Sequence, residues 1–493
     1  MIRSLFLIPV CFLIIASCSH ELDVVNKSNS DEKVFEKQSL SKTSDTDGFY
    51  VSENLLKKYL RFFCKNKTAE KIKPNAKNDE ILAYYVQYAN NKGWDLISAD
   101  KRLSPILVSS DKGILPDNFE EISYLSPISG MLHSVIDIRK SNCNDENGIW
   151  NFLSPNSKYE RYAPVELKNK IATKSGNGLK GLGQGMWIAV DTTISYTTTT
   201  VGKLTNSQWN QIVPYNSYTP FDNGVQCPVG CGPVAIGQLL YKYIKDNPGQ
   251  HAIPSTASVN GSSVSFGSFS TEAWSHLKPN CNNNFNYDTT AVFLSWIGSQ
   301  MPAEYHFNRT GTTWGQDTTM LREYLNFSNG FAVNSSSNST TKNSFCGILI
   351  SSLDLGSPLY VVANDSHAFL IDYYERYAYQ YTINYVFDPY HIITDDEYYS
   401  YPSWRFDWPN NYDPDKDIAE FDEIVNMTDN IYIRMNWGNH YIGTNPNNIS
   451  YLLRTLNHFL GENGTYYQSD SVNLNWANYS EVNNFAYNFS RKQ

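Results

Sequence analysis

One cysteine in this sequence has the surroundings that a nucleophilic thiol needs. Cys231 lies between two glycines, Pro233 follows, and apolar residues then recur at helical spacing as far as Tyr243. Proline is favoured in the first turn of a helix, so the pattern predicts a helix that begins at Cys231. The N–H groups and dipole of a helix start stabilise a thiolate and lower the pKa of a thiol. The alternative is a buried structural cysteine beside a glycine turn, and residues elsewhere must decide.

A thiol nucleophile also requires a base, and His367 is the best candidate among nine histidines. It begins the apolar run His367 to Asp372, and a second predicted strand, Leu359 to Ala363, precedes it. This pattern predicts a hairpin with a histidine at the edge of a β-core. The alternative for His367 is a buried strand histidine without a chemical role.

Two further segments supply the remaining parts of such a site. Gln211 lies upstream of the cysteine, and its side-chain N–H, together with the backbone N–H of Cys231, suits an oxyanion hole. Asn436 and Trp437 follow the predicted strand that ends at Met435. An asparagine there would accept from the second imidazole nitrogen, and the tryptophan would shield that bond from water.

The order of these motifs resembles the streptopain family of secreted bacterial cysteine peptidases. The motifs are W-x-Q-x-x-P-Y-N, G-C-G-P-V-A-x-x-Q, H-A-F-L-I-D and N-W-G. The separation of 136 residues between Cys231 and His367 (367 − 231) also lies in the papain-type range. A segment from Gly93 to Arg102, followed by Pro105, is similar to the propeptide of that family.

The resemblance implies an α+β protein with a papain-like catalytic domain, made of a helical half and a β-sheet half, after a small α+β inhibitory prodomain. It implies that Cys231 is the nucleophile and His367 the general base and then acid, resting as a thiolate–imidazolium pair. Gln211 would contribute to the oxyanion hole, with Asn436 and Trp437 behind the histidine. The implied activity is that of a cysteine endopeptidase on protein or peptide substrates, without a cofactor and inhibited by its own prodomain.

The sequence departs from the family pattern near the histidine. Ser366 stands where the family usually has glycine, and Asn439, His440 and Tyr441 replace a glycine-rich wall. An acidic and aromatic insertion, from about Glu375 to Asp429, lengthens the chain between His367 and Asn436. Two alternatives therefore stay open: a peptidase-like binding lipoprotein that has lost activity, and an acyltransferase that uses the same Cys–His pair.

The N-terminus indicates export and lipid anchoring. An apolar core from Leu5 to Ile15 follows Arg3 and is too short to cross a bilayer. Ile15 to Cys18 then resembles a bacterial lipobox, which would make Cys18 the lipidated residue of a protein exported and anchored to a bacterial membrane at the cell surface or periplasmic face. The alternative is an ordinary cleavage site with a chance cysteine.

The domain organisation follows from shifts in composition. We expect a signal peptide over residues 1–17, a polar tether over 18–48, the prodomain over 49–166, a linker with the activation cleavage over 167–185 and the peptidase domain over 186–493. The linker is rich in glycine and lysine, which favours an exposed segment that proteases cut.

Charge and cysteine usage exclude other classes. The net charge of −10 gives no electrostatic support for a nucleic-acid partner. Cys227 and Cys231 are four positions apart, but no second pair at metal-ligand spacing accompanies them, so no metal site is expected.

The spacing of apolar residues also predicts individual elements. Helices are expected over Val51–Phe63, Gly130–Lys140, Thr289–Met301 and Thr319–Phe327. Strands are expected over Ile81–Tyr88, Trp94–Ala99, Ile106–Ser109, Leu359–Ala363, His367–Tyr374 and Asn430–Met435.

Overall fold

The computed structural model describes most of the chain between residues 48 and 492. The described residues are 48–121, 125–140, 146–153, 184–246, 256–259, 262–265, 277–279, 289–333, 339–363, 367–392, 409, 419–438, 449–460, 466–472 and 482–492. The predicted signal peptide, Cys18, nearly all of the predicted tether and most of the predicted linker lie outside these residues, as does Ser366.

The described residues hold helices in both the N-terminal part and the later part of the chain. The α-helices are α1 (Glu53–Phe63), α2 (Ser126–Lys140), α3 (Gly148–Leu153), α4 (Cys231–Ile244), α5 (Thr289–Gln300), α6 (Trp314–Tyr324) and α7 (Ser339–Asp354). A 3-10 turn covers Phe119–Glu121. Among the helices described, none combines the length and the apolar character that a membrane crossing requires.

The strands are distributed along the whole described chain. They are β1 (Ala69–Lys77), β2 (Glu80–Tyr88), β3 (Trp94–Ser98), β4 (Ile106–Ser110), β5 (Gln184–Val201), β6 (Phe221–Asp222), β7 (Val225–Gln226), β8 (Thr256–Val259), β9 (Ser262–Ser265), β10 (Glu304–His306), β11 (Arg309–Gly311), β12 (Leu325–Val333), β13 (Leu359–Ala363), β14 (His367–Ile392), β15 (Glu420–Asn436), β16 (Ile449–Leu460), β17 (Tyr466–Val472) and β18 (Val482–Arg491).

One large antiparallel sheet runs through the molecule. Its order is β1-β2-β3-β4-β16-β15-β14-β13-β18-β12, with β17 beside β16 and β5 beside β14. The strands of the N-terminal unit, which is residues 48–153, join those of the later chain where Ile449 to Tyr451 pair with Ser110 to Val108. The N-terminal unit therefore shares a sheet with the rest of the protein.

The helical half packs on one side of the sheet. Helices α4, α5 and α6 surround a core that contains Ile236, Phe293 and Leu321, and the sheet closes this core with Tyr360 and Leu370. The predicted α+β architecture, with a helical half beside a sheet half, is confirmed. The site lies where the start of α4 meets the start of β14.

A second core joins the sheet to the N-terminal unit. Met131 and Leu132 of α2 belong to the same cluster as Phe369 and Trp437 of the site region. These four side chains are almost completely buried. The residues around the predicted base are thus held partly by the N-terminal unit.

The predicted elements are present, but several of their boundaries are wrong: α2 begins at Ser126 rather than Gly130, and β15 begins at Glu420 rather than Asn430. The α6 helix begins earlier than predicted because Thr313 and Gln316 form a capping box, and it ends at Tyr324 because Leu325 is already extended. Strand β14 continues far beyond Tyr374 because β5 and β15 pair with it on both sides.

Candidate active site

Cys231 is the first residue of α4, as its sequence pattern predicts. Gly230 is the N-cap of this helix. Its backbone φ is 100°, a value that residues with a Cβ atom rarely adopt. A Cβ atom at Gly230 would lie 3.0 Å from the Thr310 side chain. Glycine before the cysteine therefore permits both the turn into the helix and the close packing of the β10–β11 hairpin.

The Cys231 sulfur faces the start of strand β14. The backbone N–H groups of Ala368, at the start of β14, and of Gly232, at the helix start, favour the thiolate form of Cys231. Because Ala368 follows His367 directly, the backbone of the strand that carries the imidazole passes close to the thiol. The cysteine is partly exposed, whereas His367 is buried.

The backbone and ring of Trp437 orient the imidazole of His367. The Nε2 atom of His367 lies 3.1 Å from the carbonyl oxygen of Trp437, and the two rings stack with centroids 5.6 Å apart. A carbonyl only accepts, so this bond requires the proton on Nε2. The lone pair of the neutral ring is then on Nδ1, which is the nitrogen available for a base.

The side chain of Asn436 links three segments behind the histidine. Its Oδ1 atom accepts from Nε2 of Gln238 at 3.1 Å, and its Nδ2 atom donates to Oγ1 of Thr205 and to the carbonyl oxygen of Ser207. The sequence assigned the acceptor for the imidazole to this amide. In the structure the carbonyl oxygen of Trp437 lies at hydrogen-bond distance from Nε2 of His367, and the Asn436 amide takes part in the network around α4.

Replacement of Asn436 by alanine is therefore expected to act mainly on stability. It would leave buried polar groups of Gln238 and Thr205 without these partners, which costs about 1–3 kcal/mol in the free energy of unfolding. Chemical denaturation measures the loss, with the exposed strand residue Asn329→Ala as the matched control. A fall in kcat of about 100-fold or more with unchanged stability would instead support the orienting role that the sequence suggests.

Gln211 lies in the loop beside the nucleophile. Its carbonyl oxygen accepts from the backbone N–H of Val229 at 2.8 Å, two residues before Cys231. Its side chain is half-buried. The loop that carries the predicted oxyanion donor is thus hydrogen-bonded to the loop that carries the thiol.

Burial favours the neutral forms of both predicted catalytic groups. Loss of hydration raises the pKa of the Cys231 thiol, and the charge of Asp317 adds to this, while the N–H groups around the sulfur act in the opposite direction. Loss of hydration also lowers the pKa of His367 to about 4. The expected lowering of the thiol pKa at the helix start, and the resting thiolate–imidazolium pair, are not what this structure favours, because desolvation outweighs the helix terminus.

Thiol labelling measures directly how much of Cys231 is ionised. A raised pKa means that the thiolate fraction of Cys231 is small near neutral pH and increases only as the pH rises past the ordinary value of about 8.5. We expect iodoacetamide labelling of Cys231 in the intact chain to increase through this alkaline range. Site-resolved mass spectrometry uses Cys64, whose pKa burial raises to about 12, as the slow internal reference. A labelling rate that is already maximal below pH 7 would contradict the prediction.

An acidic group near the nucleophile was not predicted. Asp317 of α6 is buried and accepts from the hydroxyl of Tyr360 at 2.7 Å. A Cβ atom on Gly232 would lie 3.2 Å from the Asp317 carboxylate, so the carboxylate lies against the first turn of α4. Burial raises the pKa of Asp317 to about 6. No local spacing in the sequence indicates this pair, because its members come together only through the packing of α6 on β13.

The described residues do not form a metal centre: they contain no group of three or more His, Cys, Asp or Glu side chains placed to hold an ion. Cys227 is buried beside Ala303 and Tyr305, apart from the site. The groups near the start of α4 that can take part in chemistry are the thiol of Cys231, the carboxyl group of Asp317 and backbone N–H donors, and the imidazole of His367 lies at the beginning of β14.

Comparison with known proteins finds similarity over part of the chain. Residues 209–387 match the model described as the Peptidase C10 family. Two solved structures of Prevotella intermedia proteins are similar to the chain. The first, a prointerpain A fragment, has 14% identity and a TM-score of 0.45 over 86% of this chain and 99% of that chain. The second, active interpain A cysteine protease, has 20% identity and a TM-score of 0.27 over 35% and 77%. No curated protein sequence matches.

Proposed function

We propose, from the premise that residues 209–387 belong to the Peptidase C10 family, that this chain is a cysteine endopeptidase made as a zymogen. The family match agrees with the resemblance to the streptopain family that the motifs indicate. The observation that carries the proposal is that Cys231, at the start of α4, lies beside the beginning of β14, where the backbone N–H of Ala368 favours the thiolate and His367 is held by Trp437.

The proposed mechanism is nucleophilic catalysis in two steps. The Nδ1 atom of His367 takes the proton of Cys231, and the thiolate attacks the carbonyl carbon of a peptide bond. The backbone N–H of Cys231 and the side chain of Gln211 are proposed to stabilise the oxyanion. The imidazolium then gives its proton to the leaving amine, and water hydrolyses the acyl-enzyme with the imidazole as base.

The N-terminal unit is proposed to be the inhibitory prodomain. It shares the large sheet and one core with the region that surrounds the site. The neutral thiol and imidazole fit a latent state, because a neutral thiol is a weak nucleophile. Cleavage within residues 167–185 would begin activation.

Incubation of the purified precursor tests the zymogen proposal. We expect new N-termini within residues 167–185, and casein or fluorogenic-peptide hydrolysis that does not begin before they appear. Iodoacetamide added beforehand should prevent both changes. A precursor that is never cut between the two regions under activating conditions, yet hydrolyses peptides at full rate, would rule out latency.

Product analysis separates hydrolysis from acyl transfer, for which the same thiol–imidazole pair would serve. A peptide substrate is supplied together with an excess of an amine acceptor, and the products are identified by mass. Free carboxylate products support the peptidase. Amide products with the acceptor as the main species would support the transferase.

We further propose export and lipid anchoring through Cys18. The supporting observation is the Ile15 to Cys18 segment after a short apolar core. Metabolic labelling with a radioactive fatty acid should mark the wild-type chain and not Cys18→Ala. Equal labelling of both chains would exclude this site.

A further inference from the structure

Three strands extend the sheet into an arm beyond the site. The arm consists of residues 184–201 of β5, 374–392 of β14 and 420–430 of β15, with β14 in the middle. Strand β14 begins at His367, so the arm is a direct continuation of the strand that carries the predicted base. It contains the first and the last part of the acidic and aromatic insertion, residues 375–392 and 420–429.

One face of the arm is apolar and packs on the N-terminal unit. Tyr379, Ile383 and Tyr385 are only 7%, 4% and 2% exposed. They belong to one core with side chains of α1, α3 and the first strands, which include Leu56, Tyr59, Ile72 and Trp150. The arm therefore supplies part of the core of the N-terminal unit.

Specific contacts fix the position of this interface. The Tyr379 ring meets the Phe63 ring of α1 edge to face, with centroids 5.7 Å apart. Nearer the base of the arm, the hydroxyl of Tyr432 donates to the carbonyl oxygen of Ile106 at 3.2 Å. Arg434 donates to the carboxylate of Asp111 at 2.9 Å. The ring contact at one end and the two polar contacts at the other hold the N-terminal unit in one orientation on the sheet.

The outer strand of the arm is different in character. Residues 195–200 of β5 are exposed, and they include four consecutive threonines from Thr197 to Thr200. Tyr379, Ile383 and Tyr385 thus lie where the N-terminal unit covers them, whereas the described end of β5 is exposed, including the ring of Tyr196. A contiguous aromatic patch of this kind on a free domain would mark a binding surface.

We propose that the arm is the docking surface for the N-terminal unit, and that it retains this unit after the linker has been cut. The inference rests on the proposed function, because it assigns to the arm the retention of the prodomain. Cleavage at residues 167–185 would then be insufficient for activation. The cut enzyme would stay latent until the N-terminal unit leaves the arm or is itself degraded.

The test uses the full-length chain with Cys231→Ala, which prevents self-digestion, and with a recognition sequence for an unrelated protease placed within residues 167–185. After that protease has cut the linker, size-exclusion chromatography and dilution measure the dissociation constant of the two pieces. We expect the pieces to co-elute in the parent chain. Tyr379→Ala with Ile383→Ala should raise the dissociation constant at least about 100-fold, because two buried side chains are truncated.

A matched control and a second variant keep the test decisive. Thr198→Ala changes the exposed strand of the same arm and should leave the dissociation constant unchanged. Phe63→Ala removes the ring contact from the side of the N-terminal unit and leaves the peptidase domain unaltered. It should also weaken association, which guards against misfolding of the arm variant.

The outcomes separate this inference from the proposed function. Pieces that separate at once in the parent chain, or that stay together equally well in the Tyr379 and Phe63 variants, would overturn the docking surface. The chain with Cys231 intact is assayed in parallel for peptide hydrolysis. Absence of hydrolysis by the cut Tyr379→Ala and Ile383→Ala chain with Cys231 intact, after its N-terminal unit has separated, would refute the peptidase. Arm-dependent association in the parent chain would then leave the docking surface standing.

Discussion

Cys231→Ala is expected to abolish peptide hydrolysis and cleavage of the precursor's own linker. The thiol forms the covalent bond to the substrate in the proposed mechanism, so its loss should lower kcat/KM by about 10⁵-fold or more. Hydrolysis of a fluorogenic peptide by the activated enzyme measures the first effect. Gel analysis of the incubated precursor measures the second.

Cys227→Ala is the matched control for this experiment. It removes the same side chain four positions earlier, where the thiol is buried with Ala303 and Tyr305 and not at the start of α4. Its activity should remain within a fewfold of wild type. Equal losses in the two variants would show that a thiol near α4 matters for structure, and Cys231 would lose its role as nucleophile.

His367→Ala is expected to have the second largest effect. The imidazole takes the thiol proton and later gives it to the leaving amine, and general acid–base catalysis contributes about 10²–10⁴-fold. The loss should be larger here near neutral pH, because burial raises the pKa of Cys231 and makes the thiol dependent on a base. The remaining activity should increase with pH as the thiolate forms without help.

His133→Ala serves as the control, because this histidine is exposed on α2 and its Nδ1 atom is bonded to the carbonyl oxygen of Ser129. It should have wild-type activity and pH dependence. An active His367→Ala variant with an unchanged pH profile would remove His367 from the mechanism.

The sequence was informative where one segment carries its own signal. Cys231 could be placed at a helix start because Gly230 and Pro233 act locally on the backbone. The β13 strand was predicted with the correct bounds, because it is a short apolar run buried along its whole length. His367 was placed correctly at the beginning of the following strand.

The sequence was less informative where distant segments meet. The Asp317–Tyr360 bond joins a helix and a strand that share no spacing rule. The bond from His367 uses a backbone oxygen, and every residue has one, so no side-chain motif could single out Trp437 for it. The sequence showed the arm only as an insertion. Its pairing with β5 and its packing against the N-terminal unit are long-range contacts, which no local pattern reveals.

The pairing of β4 with β16 also has a consequence for the order of folding. It brings together Ser110 and Ile449, which are 339 positions apart (449 − 110). Closing so long a loop costs chain entropy before any contact is gained, and folding slows as sequence separation grows. Strands β1 to β4 pair instead with their immediate neighbours in sequence. We therefore expect strands β1 to β4 to pair first. The free edge of β4 would then be in place when β16 pairs with it.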